Sequence, residues 1–101
     1  MRKGLLEYCI LSIISKGEAY ASDILETLKQ ADLLVVEGTL YPLLTRMKNE
    51  ELLTYRWQES TEGPPRKYYS LTTEGIAILE QLHKEWHTLQ NAVAKVTDKE
   101  Q

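Results

Sequence analysis

Glu37-Gly38-Thr39-Leu40-Tyr41-Pro42-Leu43-Leu44-Thr45-Arg46-Met47 is the stretch on which the reading of this chain turns. Leu40, Leu43, Leu44 and Met47 recur at three- and four-residue spacing, which is the mark of one buried helix face. Thr39, Pro42, Thr45, Arg46, Lys48 and Asn49 fall largely on the other faces. Those faces therefore carry short polar groups and two cations. The spacing predicts a helix over about Glu37–Glu50. Pro42 weighs on its boundary, because proline removes a hydrogen bond and clashes with the carbonyl four residues back. That carbonyl belongs to Gly38, close to the helix start, where the loss is smaller.

Upstream, Leu5, Leu6, Cys9, Ile10, Ile13 and Ile14 mark one face of a helix over about Lys3–Ser15, with Gly17 as its stop signal. A second helix is expected over Ala21–Gln30, with Ile24, Leu25 and Leu28 as its apolar face and Asp23 and Glu26 suiting the positive end of its dipole. Leu33-Leu34-Val35-Val36 reads either as a brief strand or as an apolar lead into the third helix. Downstream, Leu53, Tyr55 and Trp57 alternate with Thr54, Arg56 and Gln58, the period of a strand. Lys67–Leu71 returns, and the polar segment 59–65 with Gly63-Pro64-Pro65 makes a long hairpin tip. Thr72 caps a last helix expected from about Thr73 to Val96, a rod of roughly 35 Å at ~1.5 Å per residue. Leu79, Trp86 and Val93 are seven apart, and so are Leu82, Leu89 and Val96, a heptad-like seam. Ile78 and Ala92 lie elsewhere on that helix and are left to face the rest of the domain.

Three helices, a hairpin and a long helix give a mainly α (α+β) fold of winged helix-turn-helix order. One compact domain is expected: residues 1–72 as the winged helix-turn-helix, 73–97 as a C-terminal dimerisation helix and 98–101 as a tail. In this architecture the third helix fits the major groove of double-stranded DNA and the hairpin reaches the flanking backbone or minor groove. Thr39, Thr45, Arg46 and Lys48 suit the first task, and Arg66 and Lys67 the second. Each of these is, taken singly, an ordinary solvated side chain; their placement together on the two presenting elements carries the reading.

The residues then become recognisable. Glu37 to Met47 resembles the recognition helix of the PadR family of bacterial transcription regulators. Gly63-Pro64-Pro65-Arg66-Lys67-Tyr68-Tyr69-Ser70-Leu71-Thr72 resembles its wing and second wing strand, and Thr72-Thr73-Glu74-Gly75 the start of its last helix. The chain departs from the pattern at Ala19, before Tyr20, and at Glu51, after the recognition helix, where glycine is frequent. The resemblance implies a repressor that binds a roughly palindromic promoter operator as a homodimer. Thr39, Tyr41, Pro42, Thr45, Arg46 and Lys48 become the recognition-helix candidates, Tyr20 and Ser22 sit near phosphate, and Arg66 and Lys67 serve the wing. Tyr41 and Tyr68 stand equally well as core or interface aromatics.

The chain is similar to the short class of that family, which implies dimerisation through Leu79, Leu82, Trp86, Leu89, Val93 and Val96. In drug-sensing members of that class, paired indoles sandwich planar lipophilic small molecules, which implies an effector role for Trp86 with Leu82 and Leu89. The other reading of Trp86 is a buried seam residue, and Trp57 is expected to be structural.

Composition sets limits rather than a function. The chain has 101 residues, 43% of them hydrophobic and 27% charged, as in one folded domain. The net charge is −3; residues 39–71 carry five basic and four acidic side chains and are the positive third. Charge thus permits nucleic-acid binding without predicting it. No apolar run approaches the ~20 residues that cross a bilayer. The single Cys9 fits a reducing compartment, and a cytoplasmic protein is expected with no membrane partner. Glu80, His83 and His87 share a helix face at metal-ligand spacing, but no fourth ligand accompanies them, so no metal is expected. No nucleophile–base pair or Gly-rich phosphate loop is present, so neither catalytic residues nor a cofactor are expected. The rival function is a winged-helix protein-interaction module without DNA binding, which the net acidity favours.

Overall fold

Apolar residues on three helices and a strand face inward together, and Ile10, Leu11, Ile24, Leu40, Leu44 and Met47 are sealed from solvent. The computed structural model describes residues 3–98. Its elements are α1 (Lys3–Ser15), α2 (Ala21–Gln30), α3 (Glu37–Asn49), β1 (Leu53–Gln58), β2 (Arg66–Leu71) and α4 (Thr73–Thr97). Of the expected tail at 98–101, residues 99–101 lie outside the described residues. The fold is the winged helix-turn-helix order read from the sequence, with α4 as the long C-terminal helix. No described helix is long and apolar enough to cross a membrane.

The strands pair antiparallel, from Leu53 opposite Leu71 to Gln58 opposite Arg66. A third stretch joins them. The Ala19 amide donates to the Tyr69 carbonyl at 3.1 Å, and the Tyr69 amide donates back at 2.8 Å. This single-residue bridge docks the hairpin onto the turn between α1 and α2. One residue has no periodicity, so the sequence gives no sign of it.

Both α2 and α3 end in the same reverse turn. The Leu33 amide donates to the Leu28 carbonyl at 2.8 Å and Asp32 to Lys29 at 2.9 Å; Leu52 donates to Met47 at 3.0 Å and Glu51 to Lys48 at 2.9 Å. These are Schellman pairs, whose first residue past the cap is left-handed. Asp32 has φ 63° and Glu51 φ 65°. Leu33–Val36 is accordingly the apolar lead into α3 and not a strand. Leu33 and Val35 pack partly on the core, while Leu34 and Val36 are exposed.

The root of α4 is gripped by that second turn. Thr72 Oγ1 accepts from the Gly75 amide at 2.9 Å, the capping bond expected of Thr72, and the Thr72 amide donates to the Leu52 carbonyl at 3.1 Å. A Cβ on Gly75 would lie 2.1 Å from that carbonyl oxygen, so the close approach requires glycine. The orientation of α4 corrects one expectation. Leu79 and Leu82 pack against the core, whereas Ile78 and Ala92 are exposed. The helix meets α1 through the side that also carries His83.

Candidate nucleic-acid interface

Burying Leu40, Leu43, Leu44 and Met47 forces the opposite side of α3 outward. Tyr41, Thr45 and Lys48, spaced by four and three, form one exposed stripe there, with Pro42 beside it. Thr39 is exposed in the first turn. At the start of α2, the Tyr20 amide donates to Asp23 Oδ2 at 3.0 Å, which fixes where Tyr20 and Ser22 leave the backbone. The hairpin then brings β2 beside them. Tyr20, Ser22, Tyr41, Thr45, Arg66 and Lys67 line one open cleft of about 290 Å³ together with Trp57. Six expected contacts from three separate elements thus share one surface.

The cations of this surface rest on aromatic faces. Arg66 lies 3.9 Å from the Tyr20 ring centroid, with Nη1 3.4 Å from Ser22 Oγ. Lys67 Nζ lies 4.6 Å from the Tyr55 ring and 5.6 Å from Trp57, and Lys48 Nζ 5.9 Å from Tyr55. Among the described residues no ion pair holds Lys48, Arg66 or Lys67. A cation over a ring is positioned while its charge remains available, which suits binding of phosphate. Tyr20 also stacks on Tyr68 at 4.6 Å, and the core aromatic of that strand is Tyr69. Burial pushes the Tyr69 phenol above its usual pKa.

Arg46 is placed differently. Its Nη2 pairs with Glu7 Oε2 of α1, and its Nη1 lies 3.1 Å from Glu50 Oε2 one helical turn on. The hydrogen bond to Glu7 raises its pKa further. Its spacing from Thr45 is a single residue, about 100° of helix, and that rotation takes the guanidinium towards α1 instead of the cleft. Arg56 was not singled out by sequence. It lies 4.8 Å from the Tyr68 ring and pairs with Glu18 at 3.1 Å, which extends the stack to Arg66, Tyr20, Tyr68 and Arg56. The antiparallel register puts Arg56 opposite Tyr68.

The residues expected to dimerise or bind an effector divide along α4. Leu79 and Leu82 pack partly on the chain's own core, and Trp86 is half-buried. Leu89, Val93 and Val96 are 52%, 49% and 84% exposed. His83 Nδ1 lies 2.7 Å from the Tyr8 hydroxyl, and the His83 and His87 rings meet edge-on at 5.3 Å. Among the described residues no group of three His, Cys, Asp or Glu could hold a metal ion. Cys9 is half-buried, and burial pushes its thiol up, in keeping with an apolar packing role.

Comparison with known proteins places this geometry. A family profile described as the transcriptional regulator PadR-like family matches residues 10–81. A solved PadR-like transcription factor from Bacteroides fragilis is 58% identical, with a TM-score of 0.85 over 96% of this chain and 94% of that one. A PadR-like transcriptional regulator from Bacillus cereus is 38% identical, with a TM-score of 0.85 over 97% of this chain and 96% of its own. Bacillus subtilis PadR, solved in complex with operator DNA, is 28% identical, with a TM-score of 0.71 over 76% of this chain and 45% of its own.

Proposed function

The chain belongs to the PadR-like family of transcriptional regulators, and from that premise we propose that it is a cytoplasmic repressor that binds a roughly palindromic promoter operator as a homodimer. In this reading α3 lies in the major groove, with Tyr41 and Thr45 at base edges and Thr39, Pro42 and Lys48 alongside. Tyr20, Ser22, Arg66 and Lys67 hold the flanking phosphates. The observation that carries it is the convergence of α2, α3 and β2 on one open cleft whose cations rest on rings, with no carboxylate partner among the described residues. The operator complex of the Bacillus subtilis relative lends support by likeness. Arg46 is left out of the contact set, because its guanidinium is held by Glu7 and Glu50.

The homodimer would close over the exposed Leu89, Val93 and Val96, with Trp86 at the inner end of that face. A planar lipophilic effector would stack there, since an indole offers a large flat face at low entropy cost.

The test is duplex binding followed by fluorescence anisotropy. The duplex is the one the wild-type protein selects from a random pool, and a shuffled duplex serves as control. Specific binding is expected to weaken steeply between about 50 and 200 mM salt. Arg66→Ala with Lys67→Ala is expected to weaken both duplexes and flatten the salt dependence, by about one unit of slope per lost phosphate contact. Tyr41→Ala is expected to lower the preference for the selected duplex. Absence of any selected sequence, or binding indifferent to salt, would favour a protein-interaction module instead.

A further inference from the structure

Arg46 sits on the recognition helix yet points away from the cleft, and its ion pair with Glu7 crosses from α3 to α1. The side chains are 32% and 20% exposed, so water screens the pair only in part. Elsewhere α3 packs chiefly on α2 and β1, while α1 packs on α2, β2 and α4. Next along α1, Tyr8 meets His83 of α4 at 2.7 Å. Consecutive residues of α1 therefore hold the recognition helix on one side and the C-terminal helix on the other.

We propose that Glu7 and Arg46 are positioning residues that fix how α3 is rolled and tilted on α1, so that Tyr41 and Thr45 present at the angle base reading needs. This rests on the proposed DNA-binding function and deepens it. The charge logic makes the role separable from direct contact. An arginine that neutralises phosphate acts on any sequence, whereas one that sets the helix angle acts only where register matters. Removing a carboxylate near DNA should by electrostatics alone strengthen binding; if Glu7 orients α3, removing it weakens recognition instead. Glu50 supplies an internal control. It holds the same guanidinium from the C-terminal cap of α3 and forms no ion pair with α1 among the described residues.

The experiment compares Glu7→Gln, Glu50→Gln and Arg46→Met with wild type on the selected and shuffled duplexes across a salt series. Glu7→Gln and Arg46→Met are expected to lose about tenfold of the preference for the selected duplex, the size of one mismatched base pair. Their affinity for the shuffled duplex should not fall, with a slight gain where a carboxylate is removed, and Glu50→Gln should keep the wild-type preference for the selected duplex. Undiminished or stronger preference in Glu7→Gln overturns the proposal. So does a salt slope reduced by about one unit in Arg46→Met, which marks a phosphate contact, or an equal loss on both duplexes, which marks general destabilisation. Arg46→Lys, which keeps a cation in reach of Glu7, should recover most of the preference; failure to do so also counts against it. A wild-type protein without preference defeats the DNA-binding reading itself, an outcome distinct from variants that merely match a wild type with preference.

Discussion

The first and second halves of α4 are one continuous helix in two unlike environments. From Thr72 to Trp86 the helix is capped, pinned by backbone at Leu52, packed through Leu79 and Leu82 and tied by His83 to Tyr8. From His87 to Thr97 every residue is exposed, including Leu89, Val93 and Val96. Helical stability in proteins comes mostly from packing of an apolar face, and only the first half has that within the chain. The contrast teaches that the heptad seam in the sequence serves two different tasks. Its first members pack on the chain's own core, and its last members are exposed, where the proposed dimer would use them. Stability tests at different protein concentrations separate the two.

The largest expected effect is at the root. Gly75→Ala places a Cβ at 2.1 Å from the Leu52 carbonyl oxygen, a backbone atom that cannot rotate away. Overpacking of this kind costs roughly 3 kcal/mol or more when backbone must shift. The unfolding free energy from urea titration should fall by that amount at every protein concentration. A change under about 1 kcal/mol would break the claim that the first half is clamped.

A second pair sharpens the boundary between the halves. Leu82→Asp puts a charge against the chain's own core and should lower thermal stability by about 2–3 kcal/mol whether the protein is dilute or concentrated. Leu89→Asp lies on the exposed half and should leave the unfolding of the monomer nearly unchanged while abolishing the proposed dimer in sedimentation. An intact dimer in Leu89→Asp would remove the second half from the interface. Equal thermal behaviour in the two variants would erase the division itself.

Much of this was legible in the sequence because it is periodic. The stripes of α1, α2 and α3, the alternation of β1 and β2 and the Thr72 cap all repeat at a spacing that physics dictates, so their bounds could be read closely. Orientation about the helix axis was harder. Leu79 and Ile78 are adjacent apolar residues, and which one faces the core is decided by where Leu52 and Tyr8 hold the helix, contacts far away in sequence. The same limit applied at the interface. Tyr41, Thr45, Arg66 and Lys67 came together as read, whereas Arg46 turned to Glu7, a partner 39 residues away that no local pattern reveals. Arg56 and the Tyr20–Tyr68 stack depend on strand register combined with the Ala19 bridge, and only the register leaves a trace in sequence.

The smallest effect concerns the turn that grips the first half. Its carbonyls do the holding: Glu51 accepts from the Thr72 hydroxyl, and Leu52 accepts from the Thr72 amide. Yet Glu51 itself sits at φ 65°, where an L side chain crowds its own backbone at a cost of about 1–2 kcal/mol. Glu51→Gly removes that strain but gives the unfolded chain more freedom, worth about 0.4–1 kcal/mol in the opposite direction. The net expectation is a gain of roughly 0.5–1 kcal/mol in urea unfolding, independent of protein concentration because the turn lies on the monomer side of the division. Asp32, at φ 63° in the matching turn after α2, is the comparison. A short polar side chain tolerates this region better than glutamate does, so Asp32→Gly should gain less. If Asp32→Gly gains as much as Glu51→Gly, side-chain strain is not what distinguishes the two turns. If Glu51→Gly loses stability, its side chain contributes more to the grip on α4 than its backbone strain takes away.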